Sequence, residues 1–175
     1  RTEEGNKYQS NPVKLQEGPG IDSVFATKGT NVSYETGDTT KGIHINVTTK
    51  EWNNKEDYYL RWEYEETWKV RPIYYDINTQ PYKTEPCWNI AYNTEIILEN
   101  TNAYNTNIIA RKPLIFLSKN SGKPYRGYSL LVKQYVINKS VYQFYKMLKE
   151  NNEENGNIFD NVPYNAVSNI QCCNN

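Results

Sequence analysis

Glu63 and Glu65 are the first residues in this chain whose type and spacing suit chemistry. On an extended strand, residues two apart share a face at roughly 7 Å. That is near the separation of the two carboxylates of an inverting glycosidase. An acid/base hydrolase, however, must flank the scissile bond from opposite sides, which two neighbours on one open strand do not. A solvated charged face is the better reading of the pair. His44, the single histidine, falls on the polar side of an alternating run. No G-x-S-x-G elbow accompanies it, so nothing points to a nucleophile with its base. The scattered acids show no metal-ligand spacing. The glycines are few and do not cluster ahead of a helix as a phosphate loop requires. The residues therefore predict no catalytic set, no metal and no cofactor.

The cysteines are Cys87, Cys172 and Cys173. An odd count without a C-x-x-C pair argues against a zinc site or a thioredoxin-like motif. A long-range disulfide from Cys87 to either Cys172 or Cys173 is the expectation, and it places the chain in an oxidising compartment. Buried thiols are the plainer alternative. The aromatic residues are numerous, with Tyr 16, Trp 4 and Phe 4. Trp62 and Tyr64 read as core. Trp52, Tyr74, Tyr75, Tyr82 and Trp88 fall in loop-like segments, where exposed rings can form a sugar- or protein-binding surface. Packing of these rings against the sheets is the alternative. Of the five, Tyr74, Tyr75, Tyr82 and Trp88 are the ligand-binding candidates.

The bulk composition limits the partners. The chain has 175 residues, with Lys+Arg 20 balanced against Asp+Glu 20. A neutral chain without basic blocks lacks the electrostatic footprint of nucleic-acid binding. It also lacks a polybasic membrane patch. No apolar run approaches the roughly 18 residues that span a bilayer. The start, Arg1-Thr2-Glu3, reads as an internal cut, so any targeting segment or lipid anchor is expected outside this sequence.

Strands must position these residues. Residues 1–17, with a strand from Tyr8 to Leu15, read as the end of an upstream β-domain. Glu17-Gly18-Pro19-Gly20 then breaks the chain. The main domain is expected over 21–175. A strand begins at Ile21, a polar turn spans Thr36 to Gly42, and Ile43, Ile45 and Val47 alternate with His44, Asn46 and Thr48. The clearest period-two pattern runs from Asp57 to Trp68. Tyr58, Leu60, Trp62 and Tyr64 lie on its dry face, and Tyr59, Arg61, Glu63 and Glu65 lie on its wet face. Arg61 is spaced to pair with its acidic neighbours. Residues 71–95 hold no period and read as one long loop. Strands are expected at Glu95–Glu99, Asn107–Ser118 and Tyr125–Ile137, the last two joined as a hairpin through Asn120-Ser121-Gly122-Lys123. A helix is predicted over 139–151. Asn138 is its cap, and Val141, Phe144, Tyr145 and Leu148 form its apolar stripe. The fold class is thus mostly β: an antiparallel sandwich of immunoglobulin-like flavour with one packed helix.

Several blocks resemble a known family. They are Lys7-Tyr8-Gln9-Ser10, Ile21-Asp22-Ser23-Val24, and Tyr58-Tyr59-Leu60-Arg61-Trp62-Glu63-Tyr64-Glu65-Glu66-Thr67-Trp68. After them come Cys87-Trp88, Tyr128-Ser129-Leu130-Leu131-Val132-Lys133-Gln134-Tyr135, Gly156-Asn157-Ile158-Phe159-Asp160 and Ser168-Asn169-Ile170-Gln171-Cys172. In this order they are similar to domain-of-unknown-function family 4249, outer-membrane lipoproteins of the Bacteroidota. The resemblance implies an exported, lipid-anchored protein on the cell surface, whose partner is a TonB-dependent receptor or another outer-membrane complex. It also implies pairing of Cys87 with Cys172, and a final strand beyond Asn175. It transfers no catalytic residue. The expected function is a non-enzymatic binding subunit acting in capture or uptake; a stand-alone carbohydrate-binding module using the loop aromatics is the alternative.

Overall fold

The computed structural model describes residues 7–10, 12–33, 36–52, 57–70, 87–125, 127–154 and 170–172. They form an antiparallel β-sandwich with one helix, as the alternation of the sequence predicts. The strands are β1 (Tyr8–Ser10), β2 (Ile21–Val32), β3 (Thr39–Thr49), β4 (Tyr59–Val70), β5 (Cys87–Tyr92), β6 (Ile97–Asn100), β7 (Lys112–Ser118), β8 (Tyr128–Ile137) and β9 (Ile170–Cys172), and helix α1 is Lys139–Glu154. One sheet has the order β2-β3-β7. In the other, β4 is central. β8 runs along one edge of β4 for nearly its whole length, while β6 and β5 follow end to end along the other. β1 and β9 pair separately, Gln9 opposite Gln171.

The core lies between the two larger sheets. Val47 of β3, Leu60 and Trp62 of β4, Ile97 of β6 and Leu114 of β7 are buried together with Ile109 and Trp52. Leu60, Trp62, Val47 and Ile109 exclude solvent completely. Burial of such large apolar side chains is the main stabilising term, about 1.5–3 kcal/mol each. On β3 the expected alternation gives way to burial on both faces at Ile45, Asn46 and Val47. Here the register with β7 shifts between Ile45 and Asn46, because β7 carries the extra residue Leu114 beside Pro113. β7 pairs only with β3, so the proline sits on an edge strand at a bulge, where its missing N–H costs no ladder bond. Asn46 donates to Thr27 Oγ1 at 3.1 Å and to the His44 carbonyl, which offsets its burial. The His44 ring meets Phe116 at 4.7 Å between centroids, over Gly29, where a Cβ would collide with the imidazole.

The structure corrects several expectations. Residues 120–123 do not close a hairpin, because β7 and β8 belong to different sheets. After Ser118 the chain leaves the sheet through two 3-10 turns, Lys119–Ser121 and Lys123–Tyr125, with Gly122 between them in the left-handed region at φ 69. The long loop expected over 71–95 contains strand β5. Trp52 is a core residue, not an exposed loop ring. The strand expected over Tyr8–Leu15 is limited to β1, and the one expected over Asn107–Ser118 starts at Lys112. β3 begins at Thr39, inside the expected polar turn.

Two sequence features hold as read. Asn138 Oδ1 accepts from Val141 N at 2.8 Å, capping α1, which extends to Glu154. Gly18-Pro19-Gly20 interrupts strand structure, and it is docked on the sandwich through its central residue while Gly18 and Gly20 stay exposed. Pro19 is buried, its carbonyl accepts from Gln134 Nε2, and Gly20 accepts from Lys50 N at 2.8 Å. A Cβ at Gly18 would stand 2.8 Å from Val136 Cγ2. Among the described residues, no helix is long and apolar enough to cross a membrane.

Candidate functional site: an open aromatic sheet face

The outward face of the β4 sheet carries the site. Residues directly opposed in an antiparallel ladder point to the same side. Glu65 lies between Tyr92 of β5 and Leu131 of β8, and Thr67 lies between Ile90 and Ser129. Lys69 faces Trp88. The exposures are 58% for Trp88, 57% for Ile90, 68% for Tyr92 and 53% for Leu131. Three large apolar side chains of β5 thus stay in water in one row, and Leu131 of β8 stands exposed across Glu65. Trp88, Ile90 and Tyr92 alternate along β5 at roughly 7 Å per step.

Helix α1 covers the other end of the same face. Tyr142 packs against Tyr59 with tilted rings 5.0 Å between centroids, and the Arg61 guanidinium lies 4.3 Å from the Tyr145 ring centroid. Between helix and ridge, β5 stops and β6 begins. Asn93 fills the break by accepting from Tyr64 N at 2.9 Å and donating its own N–H to the Tyr64 carbonyl. The break opens a polar cleft of about 310 Å³, lined by Arg61, Glu63, Glu65, Tyr92, Glu95 and Lys133 among others. Arg61 Nη2 meets Glu63 Oε1 at 2.5 Å, and Tyr135 OH donates to Glu63 Oε2 at 3.1 Å. Arg61 Nε is buried without a hydrogen-bond partner among the described residues. Burial, aided by the charges of Glu66 and Glu95, pushes the Tyr64 phenol up to about 12, so it remains a neutral hydroxyl at the edge of the cleft.

The chemistry available here is recognition by stacking, apolar contact and hydrogen bonding. Glu63 and Glu65 do share the wet face, and Glu63 is occupied by Arg61 and Tyr135. The carboxylate buried in this strand is Glu66, on the opposite, core-facing side. Its Oε1 accepts from Tyr128 OH at 2.9 Å and its Oε2 pairs with Lys123 Nζ at 2.8 Å. Burial and this bond to Glu66 raise the Tyr128 phenol well above the usual tyrosine range. Among the described residues, no three His, Cys, Asp or Glu side chains converge to hold a metal.

Of the sequence candidates, Trp88 is on the site, but on strand β5 and not in a loop. Tyr74, Tyr75 and Tyr82 lie outside the described residues. Cys87 is exposed at the start of β5 and opposes Val70, on the other side of the strand from Trp88. Its pairing with Cys172 or Cys173 involves side chains outside the described residues. Sequence reasoning missed Ile90, Tyr92 and Leu131. A signal was present: Trp88, Ile90 and Tyr92 alternate with Asn89 and Ala91. The run is short, and its large residues mark the wet face instead of the dry one.

The fold and site define an antiparallel β-sandwich with a helix-flanked, aromatic sheet face left open. The chain belongs to the family described as Domain of unknown function (DUF4249), whose profile matches residues 1–175. No curated protein and no solved structure matches it.

Proposed function

We propose that this chain is a non-enzymatic binding subunit of the outer-membrane surface, lipid-anchored through a segment beyond this sequence. It would serve a TonB-dependent receptor, or another outer-membrane assembly, in capture or uptake. The observation that carries the reading is the ridge of Trp88, Ile90, Tyr92 and Leu131 on the face of β4 and its neighbours. Contiguous exposed apolar surface rimmed by charge marks an interaction site. Here Arg61, Glu63 and Lys133 flank the ridge, and Glu65 stands between Tyr92 and Leu131. Rigid aromatic anchors on a strand suit binding, because they lose little conformational entropy when covered. The resemblance to exported lipoproteins supports the location and a Cys87–Cys172 bridge beside the ridge.

The test is capture from native outer membranes. Wild-type chain should recover a β-barrel receptor, and the Trp88→Ala/Tyr92→Ala double variant should recover several-fold less. Recovery of no barrel by either chain would overturn the reading. The polar cleft beside Tyr92 favours a second reading, a carbohydrate-binding module that stacks a sugar on the ridge. Glycan-array binding that is lost in Trp88→Ala would support it.

A further inference from the structure

On the core-facing side, at the end of the sandwich, the crossover from β7 to β8 folds over Glu66. Among the described residues, the hydrogen bonds of residues 119–125 are local, with one exception. Asn120 N donates to Ser118 Oγ, Ser121 Oγ to the Ser118 carbonyl, Lys123 N to Ser121 Oγ, and Tyr125 N to the Gly122 carbonyl. The exception is Lys123 Nζ, which reaches Glu66 on the opposite sheet at 2.8 Å. The same ammonium lies 4.2 Å from the Trp68 ring centroid. The Glu66 side chain is only 6% exposed, and that of Lys123 is 24% exposed. The Tyr128 hydroxyl holds the second carboxylate oxygen and so fixes the orientation of the first.

This is the chemistry of an ammonium receptor: an oriented, desolvated carboxylate on one side and an indole face on the other. We propose that Glu66, Trp68 and Tyr128 form a binding site for a primary ammonium group, with the chain's own Lys123 as its resident occupant. The strap 119–125 is then an intramolecular plug. A tethered group competes at an effective concentration of roughly millimolar or more, so it excludes free amines while it stays seated. An amine that displaces Lys123 removes the only hydrogen-bonded side-chain tie, among the described residues, from residues 119–125 to the β4 sheet. Binding at this end therefore releases the crossover. The ammonium can come from a small amine or from a lysine of a partner protein. The site is on the opposite side of the sheet from the aromatic ridge, and its test needs no receptor, so it stands or falls apart from the capture experiment.

The full chain carrying Lys123→Ala is titrated with n-butylammonium while the indole resonance of Trp68 is followed. Saturable binding is expected with a Kd on the order of 0.1 mM, about tenfold tighter than in wild type, as competition by a tethered ammonium at roughly 1 mM requires. Adding Glu66→Gln should weaken it about tenfold. A lysine-containing peptide that binds tighter than n-butylammonium identifies a partner's lysine as the source, and equal affinity identifies a small amine; either result supports the site. In the wild-type chain, Lys123 should acylate several-fold more slowly than the exposed Lys119, and Glu66→Gln should abolish the difference. Folded Lys123→Ala that shows no saturable binding overturns the proposal. So does wild-type Lys123 that acylates as fast as Lys119, which decides the matter if Lys123→Ala does not fold.

Discussion

Replacing Gln134 by Met tests how the non-strand segment 12–20 is held to the sandwich. Trp62 is fully buried, and its indole N–H donates to Gln134 Oε1 at 2.8 Å. Gln134 Nε2 in turn donates to the Pro19 carbonyl. One side chain therefore satisfies a core donor and ties down a segment more than a hundred residues away. Methionine has similar volume and adapts to its surroundings, so the cavity term is small. The indole N–H is left without an acceptor, costing about 1–3 kcal/mol, and losing the Pro19 bond adds about 0.5–1.5 kcal/mol. The expected loss is about 2–4 kcal/mol, or roughly 5–15 °C in Tm for a chain of this size. Urea unfolding measures it, with the slope unchanged. Gln134→Glu separates the two bonds: its carboxylate still accepts from Trp62 but opposes the Pro19 carbonyl. Its deficit should therefore shrink as the pH is lowered toward 4 and the carboxylate gains a proton. If Gln134→Met is as stable as wild type to within about 0.5 kcal/mol, the relay is not what secures this segment.

Gly18→Ala should destabilise by about 1–3 kcal/mol, because the added methyl meets Val136 and Tyr58, and thermal unfolding reads the loss. Asn138→Ala should cost about 1 kcal/mol by leaving the Val141 N–H unpaired, with reduced helical signal in far-UV circular dichroism. The tyrosines predict alkaline behaviour. Tyr64 and Tyr104 are raised to about 12, Tyr104 by burial and then by Glu99. Between their unfolded value of 10.0 and 12 the folded state holds more protons than the unfolded state. Their contribution to stability is therefore complete below pH 10 and declines as the pH rises through 12. Spectrophotometric titration should show a late-ionising set of tyrosines that Glu99→Gln makes smaller; full ionisation near pH 10 in the folded chain would refute it.

The alternation from Tyr58 to Tyr64 identified strand β4 and its dry face, because one side of a sandwich strand must shed water while the other keeps it. The same parity puts Glu66 on the dry face, a conflict no local pattern resolves. Its partners, Lys123 and Tyr128, are about sixty residues away in the chain. The Asn138 cap and the stripe of α1 were legible because helix capping is a local matter of three or four residues. β5 was hidden, because both faces of an edge strand meet solvent and its large residues need not mark a core. The crossover after β7 was misread as a hairpin, because Gly122 supplies the same turn chemistry whether the chain returns to its own sheet or leaves it.

By itself, then, the sequence determined the β-sandwich class, the dry face of its central strand, the helix with its cap, and membership in its family. Only the tertiary structure decided which sheet each later strand joined, which aromatic rings stayed in water, and which carboxylate was buried against a lysine. Periodicity and capping act between residues a few positions apart. Sheet order, exposure and ion pairing are set by long-range contacts, which exist only once the chain has closed on itself.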